Sequence, residues 1–231
     1  MIPRLPAYTA GVLVGIPLAL VVLALAGVQR RAAAWSGALL GAWGVFGGYF
    51  AGSYWNPERL FGGDWGFEDV VFNAQMGVIA WTTGSLPWRR RLSTVLDPES
   101  VLRRTMGLTL PMLAALLLAR QAGVSPMTAS ATAAALLLLL LVGAGQPWRL
   151  GLGICAAIGY ALTYLPALWV LFALRPEMPD AWADGQPWTA PILAGLPAGE
   201  LVWATLCAAG HAVGFAWVAQ ARIAPSPSRL P

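Results

Sequence analysis

The chain has 231 residues, of which 58% are hydrophobic and only 10% are charged. A soluble domain carries about 25% charged residues, and here the apolar residues come in long runs rather than at helix or strand periods, which excludes an ordinary soluble domain. The net charge of +4 comes from arginine alone, because the sequence has no lysine. In a membrane chain such an excess indicates topology rather than nucleic-acid binding. We therefore expect an all-α integral membrane protein.

Seven stretches meet or approach the length of about 20 mainly apolar residues that a transmembrane helix needs. In chain order the predicted spans are 8–28, 35–54, 67–86, 105–121, 127–145, 150–174 and 194–219. The first is too long for the apolar region of a signal peptide and has no clear cleavage site, so we expect it to be retained. The fourth is short and ends at Arg120.

The arginines indicate the orientation of these spans. One side of the membrane receives ten of them: Arg30, Arg31, Arg89, Arg90, Arg91, Arg103, Arg104, Arg149, Arg222 and Arg229. The other side receives four: Arg4, Arg59, Arg120 and Arg175. Because cytoplasmic loops carry the positive excess, we expect a cell (inner or plasma) membrane protein with its N-terminus outside and its C-terminus in the cytoplasm. The stretch "PWRRRLSTVLDPESVLRR" is then a solvated cytoplasmic loop.

Spans one to three resemble spans five to seven in pattern. Each set has an apolar helix, a short basic turn with Trp, a Gly-rich helix with Tyr, an acidic outer loop and a helix that opens on a carboxylate. The last helix of each set begins "WGFEDVVFNAQMGVIAW" or "PAGELVWATLCAAGHAV". When the two sets are aligned, Glu68 matches Glu200. Four membrane crossings separate span one from span five, so both sets enter the membrane in the same direction. The sequence therefore predicts a parallel repeat of three helices, one linking helix and three helices (3+1+3) around a central site.

The expected organisation is one membrane domain over residues 1–231. It comprises a first repeat, 8–86, a linking segment with the Arg-rich loop and one helix, 87–126, a second repeat, 127–219, and a tail, 220–231.

Glu68, Asp69 and Glu200 lie near the ends of apolar spans, where an ionisable group is costly and therefore indicates a functional site. Each could instead cap a helix N-terminus, where a negative charge is favourable. Burial beside aromatic rings favours the protonated form of a carboxyl group. A protonated carboxyl in such a pocket can donate a proton to an alkene, and the rings then stabilise the carbocation through cation–π attraction.

Aromatic and polar side chains near these carboxylates are candidate substrate-binding groups. They are Trp55, Asn56, Trp65, Phe72, Asn73, Gln75, Tyr160, Tyr164, Trp188, Trp203 and His211. Aromatic residues of membrane helices also serve as interface anchors, and a lone histidine is more often a hydrogen-bonded interior residue than a proton relay. The sequence has no motif for a metal, a dinucleotide or a phosphate loop, so we expect redox-neutral chemistry without a cofactor.

Two stretches, "WNPERLFG" and "GFEDVVFN", resemble the signature of the lycopene cyclase domain family, the integral-membrane type found as two subunits or one fused chain. In that family a loop with Trp, Asn and Gly leads into Pro-x-Glu-Glu/Asp-x-x-Phe, once per half. The first copy here matches at Trp55, Asn56, Gly62, Glu68, Asp69 and Phe72, and the second, "QPWTAPILAGLPAGELVW", at Trp188, Gly195, Pro197, Glu200 and Trp203. Two positions depart: Gly66 replaces the proline, and Gly199 replaces the first acid of the second copy.

The resemblance implies cyclisation of the linear ends of a carotenoid such as lycopene, an intramolecular lyase (isomerase) reaction of carotenoid biosynthesis. An acid protonates the terminal double bond, the chain attacks the cation, and loss of a proton sets the ring double bond. On this hypothesis Glu68 and Glu200 are the acid/base pair, and Asp69 supports them. The partners are the lipid bilayer and a hydrophobic polyene rather than a nucleic acid, with a second copy of the chain or carotenoid-pathway enzymes as further candidates.

Two alternatives stay open at this stage. One is a membrane terpene cyclase that acts on another prenylated polyene by similar acid chemistry. The other is a non-catalytic carotenoid-binding or transport protein of the same fold, which the missing second acid would favour.

Overall fold

The computed structural model of the chain describes residues 5–143, 146–182, 187–192 and 195–224. Within these ranges the chain forms seven helices: α1 Ala7–Leu25, α2 Arg30–Trp43, α3 Phe67–Ser85, α4 Pro98–Gln121, α5 Pro126–Gly143, α6 Trp148–Leu174 and α7 Ala198–Val218. Five of them, α1, α4, α5, α6 and α7, are long and apolar enough to cross a membrane. The predicted all-helical class is confirmed, and these helices are compatible with a membrane protein.

Short elements join the helices. A 3-10 helix, Gly44–Tyr49, continues α2, and a π-helical segment, Trp203–Cys207, lies inside α7. Strand β1, Leu92–Ser93, pairs antiparallel with β4, Arg222–Ile223, and β2, Pro191–Ile192, pairs with β3, Leu196–Pro197. The pairing of β1 with β4 ties the predicted Arg-rich loop to the chain that follows α7.

Several helix boundaries differ from the sequence-based expectation. The second predicted span ends early, because α2 ends at Trp43 and its 3-10 continuation at Tyr49 rather than near residue 54. Helix α2 begins at Arg30 rather than near residue 35, so the predicted basic turn lies in its first turn. Helix α4 begins at Pro98 rather than near residue 105, because Asp97 caps it by accepting a hydrogen bond from the Ser100 backbone N–H at 2.9 Å, and a proline is favourable in the first turn. Residues 98–104 are therefore helical rather than part of a solvated loop. The predicted end of span five at 145 and start of span seven at 194 lie outside the described residues.

Helix α3 has the most central position in the bundle, since it packs against α1, α2, α6 and α7. Its second half is buried continuously from Met76 to Thr82. Helix α7 in turn packs against α5 and α6.

The contact between α2 and α3 depends on small residues, because a Cβ atom on Gly77 would lie 2.6 Å from the backbone oxygen of Ser36. Glycine at this position lets the two helix backbones approach closely.

We predict that Gly77→Ala destabilises the protein by about 1–3 kcal/mol, the usual cost of overpacking. The obstructing atoms belong to the α2 backbone and cannot rotate away. The measurement is the thermal-unfolding midpoint of the purified protein in detergent. Gly107→Ala on α4 is the matched control, because no atom lies within 4 Å of a Cβ atom there. Equal midpoints for the two variants would contradict the predicted close contact.

Candidate active site

A cavity of about 1000 Å³ lies between the helices and has contributions from all seven of them. This volume is at the upper end of the range of small-molecule sites, about 300–1,000 Å³. Most of its wall is apolar, and some of the lining side chains, including Val14, Leu18 and Val170, are also exposed on the outer surface of the bundle. The cavity therefore communicates with the surface that would face lipid, and it can accommodate an apolar molecule.

Asp69 lies in the cavity wall, in the first turn of α3, and forms a buried ion pair with Arg59. The Nε atom of Arg59 is 2.8 Å from Oδ2 of Asp69, and Nη2 is 3.3 Å from Oδ1. Tyr8 donates its hydroxyl to Oδ1 at 3.1 Å, and the Gly66 backbone N–H donates to Oδ2 at 2.8 Å. A carboxylate offers about four lone-pair positions, so these four donors occupy Asp69 fully. The last of these bonds is a capping-box contact, in which Asp69 in the first turn of α3 accepts from the backbone of Gly66, the N-cap residue.

Glu68 is completely buried and does not line the cavity. Its Oε1 atom accepts hydrogen bonds from the Thr9 hydroxyl at 2.7 Å and from the Leu60 backbone N–H at 2.8 Å. Its Oε2 atom has no partner among the described residues. Glu68 thus connects α1 and the loop before α3, and it has no direct access to a molecule in the cavity.

Glu200, in the first turn of α7, lines the cavity and is held by neutral donors. Its Oε1 atom accepts from the Tyr54 hydroxyl at 2.6 Å and from Trp182 Nε1 at 2.9 Å, while Oε2 accepts from the Tyr164 hydroxyl. Across the described ranges no arginine forms an ion pair with it. Three donors leave one of its about four lone-pair positions open, on Oε2. The Oε2 atom can therefore accept one further hydrogen bond.

Aromatic rings connect the two carboxyl groups of the cavity wall. One series runs from Tyr8 to Trp55 and then to Trp182, with ring centroids 5.3 and 4.3 Å apart. The other runs from Tyr8 to Phe72 and then to Tyr164, at 6.4 and 5.6 Å. Ring faces attract a cation, so the space beside Glu200 is suited to a positively charged intermediate.

The two outer loops meet at this aromatic wall. Trp55 and Trp182 form an isolated antiparallel bridge, and the Asn56 backbone N–H donates to the Ala181 oxygen at 2.8 Å. The loop that precedes α3 and the loop that follows α6 are thereby fixed against each other. This contact positions Trp182 for its hydrogen bond to Glu200.

His211 lines the cavity and is hydrogen-bonded, as expected for an interior histidine. Its Nε2 atom is 2.8 Å from the Ser36 hydroxyl oxygen, and that hydroxyl donates to the Gly77 carbonyl oxygen at 2.8 Å. Because the Ser36 proton is committed to Gly77, Nε2 of His211 is the donor and the neutral ring leaves Nδ1 as an acceptor. His211 thus adds a polar acceptor to an otherwise apolar part of the wall.

The structure brings most of the predicted site residues together. The cavity wall includes Trp55, Asp69, Phe72, Asn73, Gln75, Tyr160, Tyr164, Glu200, Trp203 and His211. Four predicted residues do not contribute to it: Asn56, Trp65, Glu68 and Trp188. Asn56 and Trp65 are exposed, and Trp188 donates its indole N–H to Thr128.

Asn73 and Gln75 use their amide nitrogens to hold the helices. Asn73 donates to the Asp69 carbonyl oxygen at 2.7 Å, and Gln75 donates to the Val12 carbonyl oxygen at 2.8 Å. The second bond joins α3 to α1 across the cavity wall.

Four residues of the site are absent from the list of candidate groups: Tyr8, Tyr54, Arg59 and Trp182. Arg59 lies inside the "WNPERLFG" stretch, and this was the one available signal, but its charge indicated only topology. Tyr8 and Trp182 are contributed by segments with no recognisable motif, and only the packing of α1 and the outer loops brings them to the carboxylates.

The starts of α3 and α7 place the acids differently from the predicted match of Glu68 with Glu200. Asp69 is the third residue of α3 and Glu200 the third residue of α7, so Glu200 has the helix position of Asp69 rather than that of Glu68. Gly199 has the helix position of Glu68, and a Cβ atom there would collide with the Tyr54 hydroxyl. Tyr54 therefore packs where a side chain at position 199 would lie.

Comparisons with known proteins give no relative for this chain. No family model matches it, and neither does any curated protein or solved structure. The assignment of a function therefore depends on the residues and geometry described above.

We predict that Arg59→Gln destabilises the protein by about 3–5 kcal/mol, because it leaves the buried Asp69 carboxylate without its cation. The measurement is the thermal-unfolding midpoint in detergent. Arg175→Gln removes the same charge from the partly exposed pair with Glu177, whose Nε–Oε1 distance is 2.6 Å, and an exposed pair contributes at most about 1 kcal/mol. An Arg59→Gln midpoint as high as that of Arg175→Gln would contradict the proposed importance of the buried pair.

Proposed function

We propose that this protein is a multi-pass membrane enzyme that cyclises a linear polyene by acid initiation, with a carotenoid end group as the substrate class. The observation that carries the proposal is the environment of Glu200. Neutral hydroxyl and indole donors hold this carboxyl in the wall of a large apolar cavity, beside aromatic rings. The resemblance of the "WNPERLFG" and "GFEDVVFN" stretches to the lycopene cyclase domain family supports the same chemistry.

In the proposed reaction Glu200 donates the proton from Oε2 to the terminal double bond of the polyene. The electron pair of that double bond forms the new C–H bond, and the adjacent carbon becomes cationic. The next double bond attacks this carbon and closes the ring, which moves the positive charge to a ring carbon. A neighbouring C–H bond then releases its proton to the Glu200 carboxylate and leaves the ring double bond, so the reaction is redox-neutral and regenerates the acid.

The rings around Glu200 have a defined part in this reaction. Tyr160 and Tyr164 stack at 5.3 Å, and Trp203 and Phe72 line the same cavity. Their π faces stabilise the cation while the apolar wall keeps water from capturing it. Tyr54, Tyr164 and Trp182 hold the carboxyl in place and stabilise the carboxylate after it has lost its proton.

Asp69 and Glu68 have supporting parts in this proposal. Asp69 pairs with Arg59, and its four donors leave no position for a transferred proton. It orients Tyr8 and fixes the outer end of the cavity. Glu68 secures the loop from outside the cavity, so the proton donor is Glu200 rather than a Glu68–Glu200 pair.

The proposed topology has seven crossings in a 3+1+3 arrangement, with the N-terminus outside and the C-terminus in the cytoplasm. Although α2 has only 14 residues, the six 3-10 residues that follow extend it. At about 1.5 and 2.0 Å per residue they reach roughly 33 Å, which is enough for a hydrocarbon core of about 30 Å. The packing supports the repeat, because α3 contacts α1 and α2 as α7 contacts α5 and α6.

We predict that cells that make lycopene convert it to a cyclised product when they express this protein. Glu200→Gln should lower that conversion at least about 100-fold, the lower range for loss of a general acid. Glu68→Gln is the matched control, because its carbonyl oxygen still accepts from Thr9 and Leu60 and its side chain lies outside the cavity. The measurement is chromatographic analysis of pigments, with the amount of protein in the membrane determined for each variant.

Other results would change the proposed substrate, the proposed class of protein or the proposed proton donor. Unchanged lycopene, with the wild-type protein present in the membrane, would exclude this substrate, and cyclised products from another polyene would then indicate a terpene cyclase. Lycopene that co-purifies unaltered would indicate a binding or transport protein, an alternative that the absence of an acid at Gly199 favours. Full activity in Glu200→Gln would remove Glu200 from the donor role.

A further inference from the structure

A second, smaller pocket of about 220 Å³ lies on the arginine-rich side of the bundle. Its lining residues are Arg104, Gln146, Arg149, Trp217, Gln220, Ala221 and Arg222. They come from the start of α4, the start of α6 and the chain that follows α7, so several separate segments converge on it. It shares no lining residue with the large cavity.

Arg149 is a buried cation without a charged partner. Only 6% of its surface is exposed, its Nε atom has no hydrogen-bond partner among the described residues, and its Nη1 atom makes one long contact, 3.4 Å, to the Leu141 oxygen. It is also the second residue of α6, where the helix dipole disfavours positive charge. A buried charge in this position needs a negative group to offset the cost of desolvation.

The chain does not supply this negative group within the described ranges. The ion pairs found there are Arg59–Asp69 and Arg175–Glu177, and neither involves the pocket. Asp97 is near enough to interact with the charge of Arg104, but its carboxylate caps α4. The backbone N–H of Ser100 lowers the pKa of Asp97, with smaller contributions from Arg103 and Arg104, so Asp97 is ionised in that cap.

Two further groups indicate which ligand chemistry the pocket fits. Gln146 has a buried Oε1 atom without a donor among the described residues, so the pocket also offers an unused acceptor. Gln220 lies two residues after the end of α7 and has φ at 46°, a left-handed conformation that usually favours glycine or asparagine. A ligand-binding role would explain why the long polar side chain of Gln220, which lines the pocket, occupies this conformation.

We propose that this pocket binds a phosphate ester that carries a neighbouring hydroxyl group. The guanidinium groups of Arg104, Arg149 and Arg222 would bind the phosphate oxygens, since arginine matches phosphate geometry through paired N–H donors. The hydroxyl would donate to Oε1 of Gln146. The head group of phosphatidylglycerol and free glycerol phosphate share this chemistry, and either one completes the site.

The test uses the full-length protein in a neutral detergent at constant ionic strength. Short-chain phosphatidylglycerol, short-chain phosphatidylcholine and glycerol phosphate are titrated separately, and binding is measured by the shift of the thermal-unfolding midpoint and by native mass spectrometry. We expect phosphatidylglycerol to bind at least about tenfold more tightly than phosphatidylcholine, as charge-assisted hydrogen bonds to phosphate imply. Stabilisation by glycerol phosphate at equal concentration identifies the soluble ester as the source, and its absence identifies the lipid.

Three arginine substitutions test whether the ligand binds in this pocket. Arg149→Gln and Arg222→Gln should each abolish the preference for phosphatidylglycerol, and the second keeps the test decisive if the first does not fold, because Arg222 is exposed in a short edge strand. Arg103→Gln is the matched control, since this neighbouring exposed arginine of α4 does not line the pocket. The proposal is overturned if the wild type binds both lipids equally, if Arg222→Gln retains the preference, or if Arg103→Gln loses it to the same extent.

Discussion

The end of the bundle at which α3 begins depends on one buried ion pair, between Arg59 and Asp69. Removing two charges from water is expensive, and the attraction between them offsets that cost only when hydrogen bonds satisfy the remaining positions. Here Tyr8 from α1, the backbone of Gly66 and the guanidinium of Arg59 satisfy every position of the carboxylate. One interaction therefore fixes the first helix, the preceding loop and the start of α3, and the aromatic wall of the cavity is built on that arrangement.

The same arrangement makes the two carboxyl sites of the cavity chemically unequal. Asp69 is paired with a cation, whereas neutral groups hold Glu200. The two groups therefore differ in what they offer a molecule in the cavity: four donors occupy Asp69, whereas Glu200 keeps one acceptor position on Oε2. Two acids in the first turns of two helices thus have different environments, because Arg59 contacts one and Tyr54 contacts the other.

Local sequence signals were sufficient for the all-helical class. The apolar runs predicted helices, and the acidic residues predicted near the starts of two spans lie in the first turns of α3 and α7. The sequence did not show which of Glu68 and Asp69 faces the cavity. Adjacent residues on a helix point about 100° apart, as the period of 3.6 residues per turn requires, and only the placement of α3 among its neighbours decides which one faces inward. The contact between Arg59 and Asp69 could not be predicted from the sequence either, because it depends on how a loop folds back over the helix that follows it.

The close contact between Gly199 and Tyr54 constrains the order in which this protein could change. An acid at position 199 would collide with the Tyr54 hydroxyl, whereas loss of Tyr54 would remove one of the three donors that hold Glu200. An acid at position 199 is therefore compatible with the present packing only if position 54 changes as well, although the two positions lie 145 residues apart in the sequence.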